Sequence, residues 1–259
     1  MAKTLICTLI TLIIKKLKLE NMKKLIGRVL LGISILASAA CTKIDNYELP
    51  DASFEGNLVS TEGGNLLTSQ GSTQIRLEQI SWSATPSPQE IPSKFDGTFK
   101  DTKLFKGTYK VIPKGGAFWP IYDTARVEIG KGTKHDFVVT PYLLIKNFTA
   151  TLTGTTLTLK YDIEAPIGAG LPTILETQPF INTTKLVGTG ASIRDFSDVY
   201  KVSINKEWSD MTSADKSITI EVPDMLPGRR FFVRAGVRLN DSFKSYNFSD
   251  IIEINVPST

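Results

Sequence analysis

Beyond about residue 50 the chain alternates apolar and polar positions with a period of two, in short runs set apart by Gly, Pro, Thr and Asn. Successive strand side chains point to opposite faces, so this pattern predicts half-buried β-strands; amphipathic helical windows are almost absent. Leu58-Val59 predicts a short strand before the turn residues Thr61 to Asn65, and Ile75, Leu77 and Gln79 alternate with Arg76 and Glu78. Asp96-Gly97 is a strong turn dipeptide, because glycine accepts positive φ and aspartate bonds the local backbone. Phe99 and Leu104 are expected in the core beyond it, Gly107 in the next tight turn, and Tyr109 with Val111 on one strand face. Val127 and Ile129 mark a further strand, and His135 to Thr140 finishes the first unit where Pro141 stops it. In the second half, Phe148, Ala150 and Leu152 precede Leu157, Leu159, Tyr161 and Ile163 around a Thr-Gly-Thr turn. Later strands are expected over Val199–Ile204, Ile218–Val222, Phe231–Val237 and Ile251–Val256. Many short strands with turn signals between them predict an all-β fold of two tandem β-sandwich domains, residues 51–140 and 141–259.

The first 40 residues follow another pattern. Lys23-Lys24 gives a positive start, Val29 to Ala40 is an apolar run, and Ser38-Ala39-Ala40 supplies the small residues that a signal peptidase needs. Cys41 follows directly, and the arrangement resembles a bacterial lipobox, which implies acylation of the Cys41 thiol as the first mature residue. The pattern departs at Ser38, three residues before the cysteine, where such families carry Leu, Val or Ala. The other reading of the same residues is an ordinary secretory signal followed by a chance cysteine. Leu5 to Ile14 is a second short apolar stretch, so Met22 is read as the start of the functional protein and residues 1–21 as an over-long leader. A membrane hairpin is the alternative, but both runs are too short for a hydrocarbon core of about 30 Å. Residues 41–50 are polar, lack periodicity and end in Pro50, as expected of a tether.

Removing the leader changes the charge. The whole chain carries +4, but residues 1–40 hold seven of its 30 basic and one of its 26 acidic residues. The remaining 23 basic and 25 acidic residues give −2, so nothing in the charge points to nucleic acid. Cys7 leaves with the leader and Cys41 is consumed by lipid, which excludes a disulfide and leaves stability to packed cores.

Candidate chemistry is sparse. The one histidine, His135, lies in an expected strand without cysteines or carboxylates spaced for a metal. There is no G-x-S-x-G, no glycine-rich phosphate loop and no H-E-x-x-H, so no catalytic residue, metal or cofactor is assigned. Paired carboxylates that converge in space, as in glycosidases, would not be visible at this level. Gly115-Gly116 followed by Phe118, Trp119 and Tyr122 reads as a loop carrying apolar mass. Flat aromatic faces can stack on sugar rings, which makes Trp119, Tyr122 and Trp82, ahead of a Pro-rich loop, candidate ligand-binding residues. The competing reading is that Phe118 and Trp119 plug an open end of the sandwich. Arg230, Arg234 and Arg238 share one strand face with Phe232; a solvated face balanced by nearby acids is expected there. Asn147-Phe148-Thr149, Asn182-Thr183-Thr184 and Asn247-Phe248-Ser249 fit the N-glycosylation sequon and are read as chance behind a lipobox-type leader. Asp123-Thr124-Ala125 resembles the short O-glycosylation motif of secreted Bacteroidetes proteins.

Three resemblances bear on the whole. Gly56-Asn57-Leu58-Val59 and Asp96 to Val111 resemble the carboxypeptidase regulatory-like (transthyretin-like) sandwich. Pro227-Gly228-Arg229-Arg230-Phe231-Phe232-Val233-Arg234 resembles the approach to strand F of fibronectin type III domains, with Phe231 where that family has its corner tyrosine. With the lipobox, Asp45 to Glu48, Leu104 to Tyr109 and Asp136 to Tyr142, the mature chain resembles a Bacteroidetes lipoprotein family of unknown function, DUF3823, whose members often accompany SusC/SusD-type glycan uptake systems. The resemblance implies an outer-membrane, lipid-anchored and surface-facing protein, or a periplasm-facing one. The expected function is non-catalytic glycan capture, with a polysaccharide ligand on Trp82, Trp119 and Tyr122. The alternative is a docking subunit that binds a SusC/SusD-type transporter through sheet edges or the arginine-bearing face.

Overall fold

The computed structural model describes residues 48–258, so Cys41 and the leader lie outside the described residues. The first eight strands are β1 (Ala52–Ser60), β2 (Gln74–Gln79), β3 (Gln89–Pro92), β4 (Thr98–Leu104), β5 (Gly107–Lys114), β6 (Ala125–Ile129), β7 (Thr133–Lys134) and β8 (Phe137–Val139). They form two sheets, β3-β2-β5-β6 and β4-β1 with β7 and β8 parallel to β1. The apolar positions of the alternating runs meet between them: Phe54, Leu58, Ile75, Leu77, Phe99, Leu104, Tyr109 and Val111 are all buried. Phe99 lies between Phe54 and Phe137, at centroid distances of 5.4 and 5.9 Å. Asp96 caps its turn as expected, accepting from Thr98 N and Thr98 Oγ1 at 3.1 and 2.8 Å.

Gly56 sits where the parallel partner of β1 changes from β7 to β8. A Cβ there would lie 1.9 Å from the His135 carbonyl oxygen, so only glycine admits the crossing backbone. Asp136 bridges the gap in the ladder, accepting from Asn57 N at 2.7 Å and Asn57 Nδ2 at 2.8 Å.

The second sandwich comprises β9 (Leu144–Thr153), β10 (Thr156–Glu164), β11 (Ile174–Asn182), β12 (Val202–Lys206), β13 (Ser217–Val222), β14 (Arg230–Leu239), β15 (Tyr246–Phe248) and β16 (Ile252–Asn255). A three-stranded sheet, β13-β10-β9, faces a five-stranded one in which β12-β11-β14 continues into β15 and β16 along the same edge of β14. Leu157, Leu159, Tyr161, Ile163, Ile220, Val222, Phe231, Val233 and Val237 fill the space between. Phe231 is buried against Phe196 with ring centroids 5.7 Å apart, so the position matching a corner tyrosine serves packing alone.

Two expectations need correction here. The strand expected from Val199 begins at Val202, because Asp198–Tyr200 forms a 3-10 turn. The alternation also missed β11, a central strand whose buried residues include Glu176, Thr177 and Gln178 and which contains Pro179. A proline normally interrupts a central strand because it has no N–H. Here Ala235, opposite Pro179, directs its N–H to Ser249 Oγ at 2.9 Å and accepts from Ser249 N at 3.0 Å, so no donor from Pro179 is needed on that side.

The two sandwiches pack within one compact unit running from Leu49. One contact is the chain around Ala117 and the inter-domain segment: Trp119 N donates to Thr140 O and Tyr142 N to Ala117 O. The buried Asn247 side chain joins both, donating to Ala117 O at 2.8 Å and accepting from Leu143 N at 3.1 Å. The other contact is the loop after β1, which covers the outer face of β11 and β14. Leu67 packs on Phe180, Val187, Phe232 and Phe248, and Ser69 exchanges hydrogen bonds with Thr189. Arg234 is fully buried at this seam, donates from Nη2 to Thr68 O at 2.7 Å and lies 3.5 Å from the centroid of Phe248. The solvated arginine face expected from the sequence therefore ends at Arg234.

Candidate functional site

Between the sandwiches lies a cleft of about 730 Å³. The first domain supplies its floor from the outer face of the β2–β5 pair, where Arg76, Glu78, Lys110, Ile112 and Lys114 alternate with the buried Ile75, Leu77, Tyr109 and Val111. Its wall is the loop from Gly115 to Thr124. Glycines at 115 and 116 have φ of 72° and 94°, a conformation that turns the chain sharply at the end of β5. Pro120 and Ile121 follow, and Tyr122 is 87% exposed. The second domain closes the far side with Pro172 and the turn from Asn240 to Phe243. Phe243 is 61% exposed, and the position of a Cβ on Gly115 would be 3.5 Å from its ring.

The polar groups in this cleft are few and specific. Arg76 and Glu78 form an ion pair at 2.8 Å. The Lys110 and Lys114 side chains are exposed and take no part in the hydrogen bonds or ion pairs of the described residues. Asp241 has a buried Oδ1 with no hydrogen-bond partner, and burial raises its carboxyl above the ordinary range despite the main-chain N–H groups of residues 243–245. Burial, then the neighbouring Asp241 charge, pushes the Tyr142 hydroxyl up to about 12, so it remains a donor at neutral pH.

The three aromatic residues singled out from the sequence go to three different settings. Tyr122 lines the cleft. Trp119 does not; it packs against the second domain's core, 5.3 Å from the Tyr142 ring. Phe118 is buried in the first core, so this pair of aromatics fills the domain junction. Trp82 is 66% exposed in the turn after β2, whose Ser81 N donates to Thr108 O. That turn adjoins the Gln79–Tyr109 row of the ladder, while the cleft loop leaves from the Gln74–Lys114 row. Five residues of strand separate the two rows, about 17 Å. Phe243 and Asp241 carried no alternation or motif signal, because they sit in a turn that acquires its role only by facing the other domain.

His135 lines a smaller polar hollow of about 370 Å³ with Glu55, Lys100, Lys134 and Asp136. Both acids are engaged: Asp136 accepts from Asn57, and Glu55 bonds Lys100 at 2.6 Å and Lys134 at 3.1 Å, contacts that hold the Glu55 carboxyl below the ordinary range. Among the described residues no group of three or more His, Cys, Asp or Glu is placed to hold a metal.

Comparison with known proteins adds family and fold. Residues 52–140 match the model of the DUF3823 N-terminal domain, described as a protein of unknown function, and residues 143–253 match the DUF3823 C-terminal domain, described as a domain of unknown function. A Bacteroides uniformis crystal structure described as "a putative carbohydrate binding protein" is 20% identical, with 80% of this chain and 99% of that chain covered at a TM-score of 0.65. DUF3823 family proteins from Parabacteroides merdae and Bacteroides ovatus are 18% and 21% identical, each covering 80% of this chain and 100% of theirs, with TM-scores of 0.64 and 0.62. Among curated proteins none matches. These likenesses establish the two-sandwich fold.

Proposed function

This chain belongs to the DUF3823 family, and we propose that it is a non-catalytic carbohydrate-binding protein, tethered to the outer membrane through lipid on Cys41, that serves glycan uptake. The observation that carries the reading is the inter-domain cleft, where exposed aromatic rings from both domains, Tyr122 and Phe243, stand beside polar side chains able to bond hydroxyl groups. A sugar ring presents C–H surface on its faces and hydroxyls at its edge, so a site for it combines aromatic faces with a few fixed polar groups. The Arg76–Glu78 pair and Asp241, all lining the cleft, are such groups. Catalysis has less support, since the carboxylates of the cleft are either ion-paired (Glu78) or set in a turn (Asp241), not poised as an acid/base couple. The described B. uniformis relative accords with this reading.

Calorimetric titration with a panel of soluble plant and host oligosaccharides tests it. Binding by the mature chain, weakened about tenfold or more by Tyr122→Ala or Phe243→Ala, is expected from the loss of one stacked ring. Absence of binding to every member, or binding indifferent to both substitutions, would refute the cleft. The tether is tested separately: Cys41→Ala is expected to release the protein from the membrane fraction, and an unmodified Cys41 thiol in the native protein would refute the anchor.

A further inference from the structure

The charge in the cleft goes beyond what binding a neutral sugar needs. Three basic residues line it, Arg76, Lys110 and Lys114, against two acids, Glu78 and Asp241. Arg76 and Glu78 cancel one another at 2.8 Å. Asp241 lies on the opposite wall, in the turn from the second domain, and Asp123, next to Tyr122 in the loop, is not among the lining residues. What remains is Lys110 and Lys114, two exposed cations without an ion pair among the described residues. They stand on one face of β5 on either side of Ile112, about 14 Å apart along the strand. Elsewhere on this domain Lys100 and Lys134 grip Glu55, and Lys131 binds Asp51 at 3.1 Å.

Resting on the carbohydrate-binding reading above, we propose that the ligand of this cleft is an acidic glycan, whose carboxylate or sulfate groups are met by Lys110 and Lys114 while its sugar faces lie on Tyr122 and Phe243. Two cations separated by an apolar Ile112 and faced by aromatic rings match a chain whose charge recurs on separate sugar units, each flanked by C–H surface. Lysine supplies a point charge on a flexible stem and so accepts either kind of anion. The interaction is exposed, so its contribution is modest per residue and falls with salt.

The test compares three oligosaccharides of equal length by calorimetry: an oligogalacturonate, its carboxyl-reduced neutral counterpart, and a sulfated form of that counterpart. The mature chain is expected to bind the acidic probes about tenfold or more tightly than the neutral one. Raising ionic strength from about 0.05 M to about 0.5 M is expected to erase most of that difference. Lys110→Gln and Lys114→Gln are each expected to weaken acidic binding about threefold to fivefold, and to weaken the neutral probe less. Preference for the uronate over the sulfate, or the reverse, would identify which anion is read. Equal binding of neutral and acidic probes, unmoved by the lysine substitutions, would overturn this inference and leave the carbohydrate-binding reading standing. Binding of none of the three, with a neutral glycan of other linkage bound and lost in Tyr122→Ala, would do the same. Failure with every glycan tried would overturn both.

Discussion

The two sandwiches solve the same packing problem with different surfaces. In the first, each strand of the β2–β5 pair buries one face, Ile75, Leu77, Tyr109 and Val111, and gives the other to the cleft or to water. In the second, β11 and β14 are buried on both faces, since the loop after β1 covers the outer one around Leu67, Thr68 and Ser69. One-sided burial keeps the alternation legible, with Ile112, 9% exposed on the cleft face, as the exception. Two-sided burial erases the alternation, and it also brings Arg234, Gln178 and Glu176 inside, where Arg234 meets the Thr68 carbonyl and the Phe248 ring instead of water. The difference shows which surface is structural. The arginine-bearing face holds the domains together, and the β2–β5 face is left available for a ligand.

The sharpest challenge to this contrast is at the tightest backbone crossing of the first domain. Gly56→Ala would force a Cβ against the His135 carbonyl, and a loss of about 3 kcal/mol is expected in denaturant unfolding, because the clash is with main chain that cannot rotate away. The seam is tested by Arg234. Burial lowers its guanidinium to about 9, so it remains charged at neutral pH while enclosed. Arg234→Ala leaves a cavity and an unpaired Thr68 carbonyl and is expected to cost a similar amount, about 3 kcal/mol. Arg234→Met keeps the volume and removes the desolvated charge, so it is expected to recover about 2 kcal/mol of that loss. Equal stability of both variants and wild type would mean that the seam contributes little.

A smaller effect is expected at Glu176, which is 8% exposed and bonds Tyr246 Oη at 2.5 Å, Arg238 at 3.1 Å and Lys201 at 3.3 Å. Burial alone would raise its carboxyl; the Tyr246 hydroxyl, Arg238 and Lys201 outweigh it and hold it below the reference value of 4.5. A depressed folded value means that the unfolded chain takes up protons first. The contribution is therefore complete above pH 4.5 and is lost as pH falls through the folded value. Glu176→Gln is expected to cost about 1 kcal/mol at pH 7, with the gap from wild type closing in acid. A gap that widens in acid would contradict the assignment.

How far the sequence could be read follows the same division. Phe99, Leu104, Tyr109 and Val111 were placed in a core by alternation and by the Asp96-Gly97 turn, because their strands have a wet side. β11 escaped because Glu176, Thr177, Gln178 and Pro179 hide a buried strand behind polar residues and a proline. Aromaticity alone did not locate the site. Trp119 and Tyr122 are three residues apart in one loop, yet one packs on the second domain and the other lines the cleft. Phe243 shares the cleft only through the way the domains meet, a long-range fact that no local pattern carries.

The central claim is that ligand occupies the inter-domain cleft. Hydrogen exchange of the mature chain, with and without the oligosaccharide that binds it most tightly, tests this directly. Protection confined to the loop 115–124, the β2–β5 face and the turn 240–243 is the predicted result, with the Trp82 turn unchanged. Protection centred on Trp82 or on the His135 hollow, with the cleft segments exchanging as before, would contradict it.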